Sequence, residues 1–272
     1  MPELPEVETC RAGIAPHISG KAFQRIIIRE PRLRWPVPLQ IAELLPGLTL
    51  HRVDRRGKYL ILHTEPGCLL LHLGMSGNLR ITSQEQPLAK HDHIDFVFND
   101  GTVLRFNDQR RFGAVLWTTE PLATHALLNK LGPEPLSAEF NGEYLYQQAR
   151  KRGIAVKTFI MNSHIVVGVG NIYANEALFM AGIHPLRAAN QLSQAECETL
   201  AISIKTILEQ AIKQGGTTLR DFLNAQGKPG YFQQKLQVYS HAAEPCPKCG
   251  QPIEQIKIAQ RSSFFCARCQ LQ

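Results

Sequence analysis

The chain has 272 residues, 44% of them hydrophobic, with a formal net charge of +7 and a pI near 9.1. That length suggests two domains with room for a small appendage. No run of about 18 apolar residues indicates a membrane span, and the acidic, proline-bearing start does not read as a secretory signal. The moderate positive excess fits an anionic partner such as nucleic acid without demanding one, because a basic enzyme with a small-molecule substrate would look the same.

The chain opens on Pro2-Glu3. If Met1 is removed, as is usual before a small residue, Pro2 presents a free secondary amine. An α-amino group titrates near about 8, against about 10.4 for lysine. A useful fraction is therefore neutral at neutral pH and can attack a carbonyl or sugar carbon to form an iminium. Glu3, one residue away, can give or take a proton. The same residues also suit a helix entry, with Pro2 and Pro5 stiffening it and Glu3, Glu6 and Glu8 at the positive end of its dipole. Residues 5–18 read as that helix, with Val7, Cys10 and Ile14 on one face.

The pattern then turns to strands. Phe23–Ile28, Tyr59–His63, Leu69–Leu73, Ile94–Phe98, Val103–Phe106 and Ala114–Trp117 are short and apolar or alternating. Asn99-Asp100-Gly101 is a hairpin turn, and Arg55-Arg56-Gly57-Lys58 reads as another. A β-sandwich over residues 1–120 is expected. Residues 121–136, with Pro121, Gly132, Pro133 and Pro135, read as a linker. Helices follow over 137–236. Ser137 can cap one running to about Arg150, Asn171 can cap Ile172–Ala181 with Gly182 ending it, and Ser193-Gln194-Ala195-Glu196 is a capping box for a helix that Gly215-Gly216 ends.

Residues 237–272 hold Cys246-Pro247-Lys248-Cys249 and, 16 residues on, Cys266-Ala267-Arg268-Cys269. Two such knuckles supply four thiolates for one tetrahedral Zn²⁺, a closed and therefore structural site. Between them Ile256-Lys257-Ile258 and Ser263-Phe264-Phe265 read as hairpin arms with a turn near Gln260-Arg261-Ser262. The zinc would hold a hairpin too small to fold alone and present Arg261, unless Arg261 is simply a solvated turn residue. Cys10, Cys68 and Cys197 are isolated, so the seven cysteines look like a reducing cytosol with one metal site and not a disulfide framework.

Read together, these residues resemble a known family. Pro2-Glu3-Leu4-Pro5-Glu6-Val7-Glu8-Thr9, Arg56-Gly57-Lys58-Tyr59, His72-Leu73-Gly74-Met75-Ser76-Gly77, Arg110-Arg111-Phe112-Gly113, Val169-Gly170-Asn171-Ile172-Tyr173, Gly227-Lys228-Pro229-Gly230 and Gln260–Cys266 are similar, in order along the whole chain, to motifs of the bacterial formamidopyrimidine-DNA glycosylases. The resemblance implies an α+β protein: an N-terminal β-sandwich with an N-terminal helix, a helix–two-turns–helix domain and a four-Cys zinc finger. It implies excision of oxidised purines from duplex DNA followed by β,δ-elimination at the abasic site, by a cytoplasmic bacterial monomer associated with the nucleoid. By the same resemblance Pro2 is the Schiff-base nucleophile, Glu3 the proton donor, Lys58 the proton donor in β-elimination and Arg261 in δ-elimination. His91, Arg110, Arg152, Lys157 and Asn171 are expected DNA contacts. Met75, Arg110 and Phe112 would fill the gap left by the everted nucleotide. Glu6 and Thr217, Thr218, Leu219, Arg220 and Asp221 would read the lesion.

Two features depart from the family pattern: Gln109 stands where proline is common, and Asn162-Ser163-His164 occupies a variable loop. Two other readings stay open at this point, an endonuclease VIII-like glycosylase for oxidised pyrimidines and a non-catalytic zinc-ribbon DNA-binding protein. Leu4 and the Arg110-Arg111-Phe112 element favour the purine branch.

Overall fold

The structure is a computed structural model that describes residues 2–216 and 236–271. Among these the chain divides into two compact units, residues 2–129 with 214–216 and residues 130–213 with 236–271. The crossing falls between Asn129 and Lys130, inside the segment read as a linker. The helices after residue 130 and the zinc finger share the second unit.

The first unit begins with α1 (Leu4–Ile18), whose buried stripe is Leu4, Val7, Cys10, Ile14 and Ile18. Among the described residues, nine strands and one short helix follow. In chain order they are β1 (Lys21–Ile28), α2 (Ile41–Leu44), β2 (Thr49–Leu50), β3 (Arg52–Arg56), β4 (Tyr59–His63), β5 (Cys68–His72), β6 (Asn78–Thr82), β7 (Asp92–Phe98), β8 (Val103–Asn107) and β9 (Ala114–Thr118). They form two antiparallel sheets, ordered β2-β1-β7-β8-β6 and β3-β4-β5-β9. One apolar core joins them to α1, with Phe23, Phe96, Phe98 and Phe106 meeting Leu60, Leu62, Leu69 and Leu71. This is the expected sandwich. The sequence reading omits β2, β3 and β6, in which Leu50, Val53 and Leu79 are the single fully buried residues, too few for a period to show. It shifts β5 by one residue because four consecutive residues there are buried and no alternation fixes the ends.

One side of the five-stranded sheet carries a buried charge cluster. Asp95 accepts from Arg105 at 2.7 and 2.9 Å and from Arg29 at 2.6 Å, while Asp92 accepts from Arg80 at 2.5 Å and from the Ala89 N–H at 2.8 Å. Burial pushes the Asp95 carboxyl up, and the hydrogen bonds from Arg105 and Arg29 more than reverse it. These pairs tie the 83–91 loop to the sheet, since Arg105 also donates to the Gln86 carbonyl and Asn107 to that of Lys90.

The second unit contains α3 (Gly142–Ala149), α4 (Val156–Ile160), α5 (Asn171–Ala181), α6 (Gln194–Lys213) and a hairpin of β10 (Glu254–Ile258) and β11 (Arg261–Phe265). Three local expectations are corrected. α3 starts later than read from Ser137, because Asn141 supplies the cap by accepting from the Tyr144 N–H at 2.9 Å and Ser137 closes a turn onto Glu134. The cap of α5 is Gly170, and Asn171 is its first helical residue, its side chain being committed elsewhere. The hairpin turns at Ala259-Gln260, both in the left-handed region (φ 47° and 63°), so Arg261 opens β11 instead of sitting at the tip. The Ser193–Glu196 capping box forms as expected. Among the described residues no helix is long and apolar enough to cross a membrane.

Candidate active site

In the first unit Pro2 and Glu3 are buried, and Glu3 is the N-cap of α1. The Glu6 carboxylate accepts from the Glu3 N–H at 2.8 Å, and the Glu3 carboxylate accepts from the Glu6 N–H in return. This reciprocal box satisfies two orphan donors of the first turn. It fixes the chain end relative to the helix and sets the Glu3 carboxylate at the positive end of the dipole. The helix-entry and acid–base readings of Glu3 are therefore compatible. Glu6 is fully buried, and a Cβ added at Gly216 would lie 3.0 Å from its Oε1.

The third acid, Glu8, has a different task that the sequence reading missed. It accepts from Arg11 at 2.7 and 2.9 Å and from Arg55 at 2.9 Å. Burial pushes its carboxyl up, and the two guanidinium partners bring it below the ordinary value. Arg55 also donates to the Gly57 carbonyl at 2.9 Å. The turn carrying Lys58 is thus tied to α1 through Glu8, with Gly57 in the left-handed region at φ 57°.

Met75, Arg110, Phe112 and His91 lie on three neighbouring turns of this unit. Gly74 and Gly113 allow two of them to interlock: a Cβ at Gly74 would sit 2.4 Å from the Gly113 nitrogen. Phe112 is 45% exposed, with the Arg110 guanidinium 4.9 Å above its ring, and Met75 is half-buried. An exposed aromatic ring beside a cation suits stacking on a base better than core packing. His91 has φ 73°, which holds the end of the 83–91 loop in a left-handed bend.

Beside them, His72 accepts from the Gly74 N–H through Nδ1 at 2.9 Å, so its neutral ring carries the proton on Nε2. Burial pushes its pKa down from 6.5 to about 4, helped by the positive charges of Lys58 and Arg34. The unfolded chain therefore binds this proton first. The contribution of His72 to stability is complete above pH 6.5 and is lost as the pH falls towards about 4. Urea unfolding across that window is expected to show a slope that His72→Asn flattens; an unchanged slope would mean that the ring is not held neutral by the fold.

In the second unit Lys157 is 1% exposed. Its ammonium donates to Asn171 Oδ1 at 2.7 Å, the Ser262 carbonyl at 2.9 Å and Ser263 Oγ at 2.6 Å, and Asn171 Nδ2 donates to the same Ser262 carbonyl at 3.1 Å. Lys157 and Asn171 thus brace the start of β11, the strand that Arg261 opens. A cleft of about 300 Å³ beside them is lined in part by Lys157, Thr158, Asn162 and the exposed Arg261. Arg152 is turned back onto the Gln148 carbonyl at 2.7 Å. Two supports escaped the sequence reading. Asn175 accepts from the Phe264 N–H at 2.8 Å, and Glu176 accepts from the N–H groups of Gln237, Val238 and Tyr239 at 2.8, 3.0 and 2.9 Å. Their signal was a polar pair inside the otherwise apolar run of α5. Thr217, Thr218, Leu219, Arg220 and Asp221, and Gly227–Gly230, lie outside the described residues, as does Met1.

The four cysteines of the finger converge. Their sulfurs lie within 4.8 Å of one another, with Cys246–Cys269 at 3.9 Å and Cys249–Cys266 at 3.5 Å. A tetrahedral zinc with sulfur at about 2.3 Å requires edges of about 3.8 Å. The donor set therefore fits one structural zinc ion, and Phe264, Val238 and Ile253 pack round it. Cys10, Cys68 and Cys197 are buried thiols in the packing, and burial raises Cys10 to about 12 and Cys197 to about 11.

Three family models match the chain in succession: the formamidopyrimidine-DNA glycosylase N-terminal domain over residues 1–115, the H2TH domain of the same enzymes over 131–223, and the zinc finger found in FPG and IleRS over 243–271. The formamidopyrimidine-DNA glycosylase of Hydrogenovibrio crunogenus is 56% identical over 272 residues, 100% of this chain and 97% of that protein. That of Vibrio cholerae is 55% identical over 270 residues, 99% of this chain and all of that protein. Among solved structures, the Lactococcus lactis Fpg bound to DNA containing an abasic site superposes with a TM-score of 0.92 at 36% identity, covering 99% of this chain and 100% of that one. MutM from Thermus thermophilus superposes at 0.89 with 35% identity, covering 99% and 98%.

Proposed function

This chain belongs to the formamidopyrimidine-DNA glycosylase family, and we propose that the Pro2 nitrogen, freed by removal of Met1, is the nucleophile of its reaction. The protein is a base-excision DNA glycosylase for oxidised purines with an associated abasic-site lyase activity, and its finger holds one structural zinc. The reading of Pro2 is supported by the buried capping box, which gives the first amine of the chain a fixed place beside a carboxyl group.

In this reading the neutral amine attacks C1′ of the damaged nucleotide, the base departs with a proton, and Glu3 protonates the ring oxygen as the sugar opens. The product is an iminium between Pro2 and C1′. Its positive charge acidifies the C2′ proton; removal of that proton expels the 3′ phosphate, and a second elimination expels the 5′ phosphate. Lys58 serves the first elimination and Arg261 the second. Met75 and Phe112 enter the stack while Arg110 hydrogen-bonds the orphaned cytosine. His91, Arg152, Lys157 and Asn171 hold the backbone, Lys157 and Asn171 together with the N-terminus of α5. Glu6 and residues 217–221 recognise the oxidised base. The protein acts as a monomer on nucleoid DNA in the bacterial cytoplasm.

Excision of 8-oxoguanine and thymine glycol from matched duplexes tests the substrate class. The oxidised purine is expected to be released faster, and dominant thymine glycol release would move the chain to the endonuclease VIII-like reading. Arg261→Ala is expected to weaken DNA binding and to make log K against log salt shallower by about 0.9, the share of one phosphate. An unchanged slope would remove Arg261 from the backbone contacts.

A further inference from the structure

Asp108 is fully buried at the end of β8, yet its neighbours are the turns that carry the proposed base-replacing residues. Its Oδ1 accepts from Ser76 Oγ at 2.6 Å and its Oδ2 from the Gly113 N–H at 2.7 Å. Ser76 Oγ in turn accepts from the Arg110 N–H at 2.9 Å. The backbone of Asp108 is equally committed. Its N–H donates to the His91 carbonyl at 3.1 Å, and its carbonyl accepts from His93 Nε2 at 2.7 Å and from the Arg111 N–H at 3.3 Å. Ser76 follows Met75 and Gly113 follows Phe112, so one residue reaches all three turns.

Burying a carboxylate is costly unless hydrogen bonds compensate, and here both oxygens bond to loops and, among the described residues, neither to a cation within hydrogen-bond distance. Phe112 and Arg110 are exposed and gain little position from packing of their own. We propose that Asp108 is a positioning residue that sets Met75, Arg110, Phe112 and His91 in one arrangement for replacing an everted base. The inference rests on the glycosylase reading above. It assigns Asp108 no contact with substrate: its effect passes through Ser76, Gly113 and the backbone of His91.

The role makes a prediction that a merely structural one does not. Misplaced wedge residues matter where a paired base must be displaced and an orphaned partner held. They matter little at an abasic site whose opposite nucleotide also lacks its base. Single-turnover excision of 8-oxoguanine opposite cytosine is therefore expected to fall about tenfold or more in Asp108→Ala and Ser76→Ala, the range that small misplacements produce. Elimination at the doubly abasic site is expected to change less than about threefold, a small effect on the same scale. Ser76→Ala removes one hydroxyl and leaves the Asp108–Gly113 bond, so it carries the test if Asp108→Ala does not fold. Parallel loss on both substrates would reduce Asp108 to general support of the fold and overturn the proposal, as would no loss on either. A wild-type protein inert on both substrates would sink the glycosylase reading and this inference with it; an active wild type with unaffected variants would sink this inference alone.

Discussion

A chain in which Met1 cannot be removed from Pro2 is expected to lose covalent trapping by borohydride on abasic DNA and to lose strand nicking by about a thousandfold or more, the loss typical of deleting a covalent nucleophile. With Met1 attached, the Pro2 nitrogen is an amide without a nucleophilic lone pair. The experiment compares the processed protein with one carrying a fixed N-terminal extension, and sequences the trapped peptide. DNA binding by the extended form should persist, because Lys157, Asn171 and Arg261 belong to the other compact unit. Trapping that survives the extension, or that maps to a lysine, would contradict the assignment of Pro2.

The second large effect is expected at Glu3. Glu3→Gln should lower base excision by about 10²–10⁴-fold, the usual worth of a positioned acid, while the thermal midpoint scarcely moves. The capping box makes the two outcomes separable. A glutamine Oε1 still accepts from the Glu6 N–H, and the Glu3 N–H still finds the Glu6 carboxylate. The helix keeps its cap, and what disappears is the exchangeable proton. A Gln variant that unfolds in step with its loss of activity would show that the carboxylate serves the fold more than the reaction.

Much of the molecule was legible because the chain announces it locally. The zinc ligands stand in two Cys-x-x-Cys pairs, the Ser193–Glu196 box forms, and Asn99-Asp100-Gly101 turns between β7 and β8 as its composition demands. What stayed hidden was carried by pairings across long separations. Nothing near Glu8 indicates that it reaches Arg55, and nothing near Asp108 indicates that it reaches Ser76. β3 and β6 went unseen because edge strands with one buried residue leave no period, and α3 began late because Asn141 outcompeted Ser137 for the cap. The proposed site residues fall into the same two classes. Those in contiguous motifs could be named from the resemblance, whereas their supports, such as Asn175 and Glu176, emerge only when the backbone is folded round them.

The capping box at the start of α1 has one more consequence. The carboxylate that closes the helix is the one proposed to hand over and recover a proton in each catalytic cycle. In its protonated state it is a weaker acceptor for the Glu6 N–H and no longer carries the charge that the helix end attracts. Each turnover therefore includes a moment when the first turn of α1 is loosened, and transfer of the Glu3 proton to the sugar ring oxygen tightens it again. The grip of the helix on the reactive chain end rises and falls with the chemistry that it serves.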